Sequence, residues 1–301
     1  MSRCKIGRLV ITSCALAVSL PMPKARGQTS FSFRSLTVDG SAHTEATGVD
    51  DAGNIVGFYV DSKGVQHGFK YVAGKATTIN FPDSTGTQVY GIDLNDFFIV
   101  GSYTDWKFTP HGFELDASGK FTTVDVPDAA WTRVLSVNSD GSRGGAYADK
   151  AGVIHGFLDK DGAGTFTTLD FPKAVLTEVN SIVNLRYMAG VFVDSSRAEH
   201  GIFGADGELV SAVNVPGAGL TATNGIIDET DIVGYYGASA TGPFHCYLLM
   251  GGQFQMIDFP KAIDTRCNGI GDTAEIVGRY TDAKGVVHGF FASFLHTGHG
   301  W

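Results

Sequence analysis

A short phrase, His-Gly-Phe or a close variant, returns six times along this 301-residue chain, and no other feature limits the possible folds as much. It stands at His67-Gly-Phe, His111-Gly-Phe, His155-Gly-Phe, His200-Gly-Ile, His245-Cys-Tyr and His288-Gly-Phe, with spacings of 44, 44, 45, 45 and 43 residues. Twelve residues before the first histidine lies Ile55-Val-Gly. It returns as Ile99-Val-Gly, Ile232-Val-Gly and Ile276-Val-Gly, and more loosely as Arg143-Gly-Gly and Met188-Ala-Gly. Two residues beyond each comes an aromatic: Tyr59, Tyr103, Tyr147, Phe192, Tyr236 and Tyr280. Between copies sit Phe81-Pro82, Val126-Pro127, Phe171-Pro172, Val215-Pro216 and Phe259-Pro260, each followed by a threonine: Thr87, Thr132, Thr177, Thr221 and Thr265. A fixed period of this size marks one supersecondary unit stacked on its copies.

Within one copy the pattern is β throughout. Runs starting at Thr44, Ile55, His67 and Thr77 are rich in β-branched and aromatic residues, and Asp50-Asp-Ala-Gly53, Asp61-Ser-Lys-Gly64 and Ala73-Gly74 punctuate them as hairpin turns. Glycine fills 40 positions, as a turn-dense chain requires, and no segment carries an apolar 3.6 period of helical length. Four antiparallel strands per copy match a propeller blade. The sixth copy stops after its third strand, and Phe31–Val38 aligns with the fourth-strand segment Phe121–Val126. A closed ring uses such an offset, whereas an open solenoid would need capping repeats. The expectation is an all-β, six-bladed β-propeller of four-stranded antiparallel blades over 28–301, in which 31–38 completes the blade of 265–295.

The first 27 residues read as an export signal. Arg3, Lys5 and Arg8 precede the apolar run Leu9–Leu20, and Ala25-x-Gly27 reads as the cleavage site. Removing five bases and no acids takes the formal charge from −9 to −14. An acidic surface of that size excludes a nucleic-acid partner, which needs a basic one. No later stretch is long and apolar enough for a transmembrane helix. Cys246 and Cys267 remain in the exported chain, on a third and a first strand at different radii, so no bond between them is expected.

The run Asp-x-x-Gly-x-Ile-Val-Gly, followed about twelve residues later by His-small-Phe, resembles the HAF repeat family of exported bacterial proteins. The likeness covers 31–295, with Gly in place of the family's middle Ala, as in His67-Gly68-Phe69. It implies a periplasmic or extracellular location and supplies no catalytic residue.

The six histidines, His67, His111, His155, His200, His245 and His288, recur in every copy. A group needed in every blade does a job every blade has, whereas an enzyme site gathers different groups at one point. They are expected to be structural. The Asp-x-x-Gly segments lack the further carboxylates of a calcium loop and read as turns. Positions where the copies disagree are more informative. After the repeat threonine, on the strand lining the central channel, come Glu45, Gln88, Arg133, Glu178, Ala222 and Arg266; two residues further come Thr47, Tyr90, Leu135, Asn180, Asn224 and Asn268. Glu45, Gln88, Arg133 and Arg266, with Trp106 and Trp131 in diverging loops, are the candidate ligand-binding set. Glu178, Asn180, Asn224 and Asn268 offer oxygens suited to Ca²⁺; the plain alternative is inter-blade ion pairing of Arg266 with Glu45 and of Arg133 with Glu178. The reading is a monomeric binding or scaffold module for a glycan, peptide or envelope protein, with no cofactor required. The alternative is a Ca²⁺-dependent hydrolase or lactonase-like enzyme at the channel.

Overall fold

The structure, a computed structural model, describes residues 31–183, 186–273 and 275–294; the expected leader over 1–27 lies outside them. Twenty-four strands and one 3₁₀ turn, Lys160–Gly162, make up the described chain. Each repeat is an antiparallel meander that begins at the ring's centre. The inner strands are β2 (Ser41–Val49), β6 (Gly86–Ile92), β10 (Trp131–Val137), β14 (Leu176–Val183), β18 (Leu220–Ile226) and β22 (Asp264–Ile270). The last meander continues through β23 (Ile276–Thr281) and β24 (Val287–Phe294), and β1 (Phe31–Leu36) completes it, with Phe31 opposite Phe294 and Leu36 opposite Gly289.

Hydrogen bonding groups the strands into four four-stranded sheets and one of eight. This corrects the expectation of six separate sheets. The large sheet comprises one meander starting at β10 and another starting at β14, joined by one parallel bridge between Ile154 and Leu176. That bridge reaches from β12 (Ile154–Asp159), the third strand of one meander, to the inner strand of the next. The arrangement is a β-propeller of small antiparallel sheets, and no helix among the described residues is long and apolar enough to cross a membrane.

The repeated residues build the joints. Each repeat threonine is buried, and its Oγ1 accepts the backbone N–H six residues earlier at 2.9–3.2 Å: Val38 to Thr44, Phe81 to Thr87, Val126 to Thr132, Phe171 to Thr177, Val215 to Thr221 and Phe259 to Thr265. Leaving such a donor unpaired costs about 1–3 kcal/mol. Third-strand Phe69, Phe113, Phe157, Ile202, Tyr247 and Phe290 are fully buried and form the cores between sheets.

All six inner strands carry a register shift, between Ala46 and Gly48 in the first and at the equivalent step in the others. The residue left out of the ladder is Thr47, Tyr90, Leu135, Asn180, Asn224 or Asn268. At this bulge the carbonyl two residues before the bulged one lies against the second strand, which explains the glycine of Ile-Val-Gly. A Cβ at Gly57, Gly101, Gly145, Gly190, Gly234 or Gly278 would overlap the carbonyl oxygen of Glu45, Gln88, Arg133, Glu178, Ala222 or Arg266.

Cys246 and Cys267 form a disulfide, against the sequence expectation, with Cα atoms 5.2 Å apart. The radial argument held only within one blade. Between neighbouring blades, the third strand of one faces the inner strand of the next. A Cβ at Gly68 would strike Val89, and one at Gly112 would strike Val134. Cys246 and Cys267 occupy that same pair of positions. The bond sits where two blades come closest, and both sulfurs are fully buried. A persistent disulfide belongs to an oxidising compartment.

Candidate functional site

The central channel opens at two mouths, with cavities of about 420 and 380 Å³. At the mouth where the inner strands begin, charged and aromatic side chains replace the repeat residues. Glu45, Arg133, Glu178 and Arg266 all line it. Gln88 turns aside, accepting a hydrogen bond from the Tyr90 hydroxyl at 2.8 Å. Trp131 backs Arg133, whose guanidinium lies 4.9 Å from the ring centre. Trp106 stands off on a hairpin tip, 74% exposed, with Lys107 over its ring. Trp106 and Trp131 therefore each stack on a cation from their own segment.

Six lining residues come from outside the inner strands and were not anticipated: the apolar Phe58, Val191 and Val193, and the polar Glu199, Tyr235 and Arg279. Tyr235 and Arg279 sit on second strands, directly opposite Ala222 and Arg266 in register. The sequence signal was available, because the residue between Ile-Val-Gly and the repeat aromatic varies around the ring: Phe58, Ser102, Ala146, Val191, Tyr235 and Arg279.

Neither expected inter-blade ion pair forms. Glu45 instead meets Arg279 at 3.5 Å, accepts from the Asn268 amide at 3.1 Å and faces His43 at 3.3 Å. Arg266 leans on Asp264 at 3.4 Å and lies 3.9 Å over the Phe244 ring. Tyr235 donates to Glu199 at 3.3 Å. Arg133 and Glu178 have no hydrogen-bonded partner among the described residues. Burial pushes the Glu178 carboxyl above the usual range; Arg133 opposes that shift and Glu199 adds to it. Burial likewise pushes up Tyr90 and Tyr235.

The residues offered for Ca²⁺ do other work. The amide of Asn180 donates to Thr223 O at 3.1 Å, that of Asn224 to Cys267 O at 3.0 Å and that of Asn268 to Ala46 O at 3.0 Å. The Thr47 hydroxyl makes the equivalent bond to Val89 O at 3.1 Å. These are staples from a bulged inner strand to its neighbour. The Asn224 side-chain oxygen also accepts from Asn180 at 3.0 Å. One carboxylate and the remaining amide oxygens are a poor match to six to eight oxygen ligands. Among the described residues no three His, Cys, Asp or Glu side chains converge for a metal.

The histidines form a repeated clip near the outer strands. Nδ1 of His67, His111, His155, His200, His245 and His288 meets Asn80, Asp125, Asp170, Asn214, Asp258 and Thr37 at 2.6–3.1 Å. Each ring packs on the second-strand aromatic of its blade, centroids 4.8–5.4 Å apart. In five repeats Nε2 faces a turn aspartate: Asp61, Asp105, Asp149, Asp194 or Asp282, at 3.3–3.7 Å. The same carboxylates close their hairpin turns, three of them Asp-x-x-Gly, by accepting backbone N–H groups two and four residues on, as Asp61 does from Lys63 and Val65 at 2.8 and 2.9 Å.

No family model and no curated protein sequence matches the chain. Solved structures do share its fold. A TolB-like protein from Agrobacterium tumefaciens superposes with a TM-score of 0.59 at 10% identity, covering 89% of this chain and 99% of the other. AofleA from Arthrobotrys oligospora gives 0.57 at 11% identity, covering 92% of each. The Aleuria aurantia lectin, solved with a fucose–GlcNAc disaccharide, gives 0.53 at 11% identity, covering 89% of this chain and all of its own. Identities this low establish the propeller fold alone.

Proposed function

We propose that the chain is an exported six-bladed binding module of the HAF repeat type, in which each half of the eight-stranded sheet counts as one blade. Its ligand is taken at the mouth where the inner strands begin. One observation carries this reading: the positions after the repeat threonine, strictly equivalent in the fold, hold Glu45, Gln88, Arg133, Glu178, Ala222 and Arg266. A ring serving stability alone has no use for such variety at one radius. Export is supported by the basic-apolar-small order of residues 1–27 and by the buried Cys246–Cys267 bond. Lectins among the fold neighbours are consistent with a binding role. The Ca²⁺-dependent hydrolase reading ranks behind it, because Asn180, Asn224 and Asn268 already donate to neighbouring blades.

The test is to immobilise residues 28–301 and screen glycan and peptide arrays alongside an R266A variant. Binding that weakens at least tenfold in the variant supports the mouth as the site. Binding unchanged by R266A and by substitutions of Glu45 and Arg279 overturns it.

A further inference from the structure

Six charged side chains face this mouth from the surrounding strands, and four are engaged. Glu45 has Arg279 and Asn268, Arg266 has Asp264 and the Phe244 ring, and Glu199 has the Tyr235 hydroxyl. Arg133 and Glu178 remain. They occupy equivalent positions on the adjacent inner strands β10 and β14, are half-buried, carry opposite charge and do not join. Trp131 holds the guanidinium from behind, at 4.9 Å. Their mutual attraction leaves the hydrogen-bonding capacity of both partly desolvated groups open, which a ligand carrying both charges would complete.

Resting on the reading of this mouth as the binding site, we propose that its ligand is a zwitterion of the α-amino-acid class, free or as a very short peptide. Its carboxylate lies on Arg133 and its ammonium on Glu178. A guanidinium presents a fork of N–H donors that matches a carboxylate, and an ammonium offers three donors to a carboxylate acceptor. A purely anionic ligand would leave Glu178 unpaired, and a neutral sugar would leave both charges with only hydroxyls. Glu199, felt electrostatically at Glu178, adds to the negative half of the mouth. Phe58, Tyr90, Leu176 and Val191 wall the remainder of a 420 Å³ cavity, which has room for an apolar side chain.

The experiment is a thermal-shift screen of residues 28–301 against the twenty free amino acids, followed by calorimetry on the best binder, its N-acetyl derivative and its amide. Blocking either charge is expected to weaken binding at least tenfold. R133Q and E178Q, which break no protein hydrogen bond and are expected to fold, are each expected to weaken the free amino acid at least tenfold. E178Q is expected to leave the residual affinity of the N-acetyl derivative unchanged, because the ammonium it would have met is gone. Derivatives that bind as well as the parent overturn the proposal, as does a screen in which none of the twenty binds. If array glycans then bind and R266A releases them, the mouth stands as the binding site and only the zwitterion fails.

Discussion

Arg143 takes the place of isoleucine in Ile-Val-Gly and is buried, 6% exposed, on β11 (Arg143–Ala148). Its partner Asp159, opposite it in register, is fully buried. Nε and Nη2 of the arginine meet Asp159 Oδ2 at 3.0 and 2.5 Å, Nη2 also reaches Gly162 O at 2.8 Å, and Nη1 lies 3.4 Å from Glu114 of the preceding blade. Asp159→Leu would leave a guanidinium in an apolar seam with one carbonyl and one distant carboxylate. Breaking a buried pair from one side costs about 3–5 kcal/mol. The repeat provides its own control, since the equivalent pair in the second blade is Ile99 opposite Leu115. The double variant R143I/D159L copies that pair. It leaves the Gly162 carbonyl and the Thr165 N–H, now bonded to Asp159 Oδ1, without their side-chain partners, so it is expected within about 2 kcal/mol of the parent. In a protein of this size 1 kcal/mol moves Tm by about 2–4 °C. D159L should therefore melt roughly 6–20 °C lower by calorimetry, and the double variant should recover most of that loss. A single variant within about 1 kcal/mol of the parent, or a double variant no better than the single, would refute the argument that desolvated charge dominates this seam.

Other expectations follow from the turns, the disulfide and the carboxylates. Phe108 holds φ 65° where equivalent hairpins place Gly64, Gly152 and Gly285, and it is 79% exposed; Phe108→Gly should raise stability by about 1 kcal/mol in denaturant unfolding, and a loss would show that its ring packs. C246G/C267V rebuilds the Gly68–Val89 contact but removes a cross-link between residues 21 apart, so it should cost about 3 kcal/mol; no cost would place the bond's contribution elsewhere. Asp61, Asp105, Asp149 and Asp282 are held below the usual carboxylate range, first by the backbone N–H four residues on, and Asp194 is pulled to about 2, first by the Ser196 hydroxyl. Lowered folded values give stability that is present above the ordinary 3.8 and lost as pH falls toward 2. Burial raises Glu114, Glu178 and Glu199, whose contribution is full below 4.5 and lost as pH rises through their folded values. Asp194→Asn should flatten the acid limb of a Tm–pH curve, while Glu178→Gln should raise Tm at pH 7 and leave it unchanged at pH 3.

The joints were legible because they recur: the threonine, the histidine and the Ile-Val-Gly glycine each solve a problem that every blade shares. The channel ring was legible for the opposite reason, since Glu45, Arg133, Glu178 and Arg266 vary at a fixed step from an unvarying threonine. Two physical features escaped. The bulge is silent in residue type, although small residues follow the bulged one, as in Thr47-Gly48, Tyr90-Gly91 and Asn224-Gly225. Without it, Asn180, Asn224 and Asn268 read as ligands rather than staples. Packing between blades was the second. It sets Cys246 against Cys267 and aims Arg279 at Glu45, and no period along one chain reports which strands meet across a gap.

Strand β1 is bonded to a strand more than 250 residues away in sequence, with Phe31 facing Phe294. Its neighbours in that sheet are otherwise local, and the Cys246–Cys267 bond spans only 21 residues. The seam between the sheets that start at β18 and β22 is therefore covalent, while the ring is latched by one six-residue strand with half its side chains in partial contact with solvent. The return of the first strand closes the longest loop in the molecule, so it is expected to be the last event of folding. Blade by blade the protein can assemble as it emerges, but the circle stays unlatched until the other end of the chain arrives. Hydrogen exchange in the native state should find its easiest door there, at Ser32–Ser35, far from the disulfide that bolts the neighbouring joint.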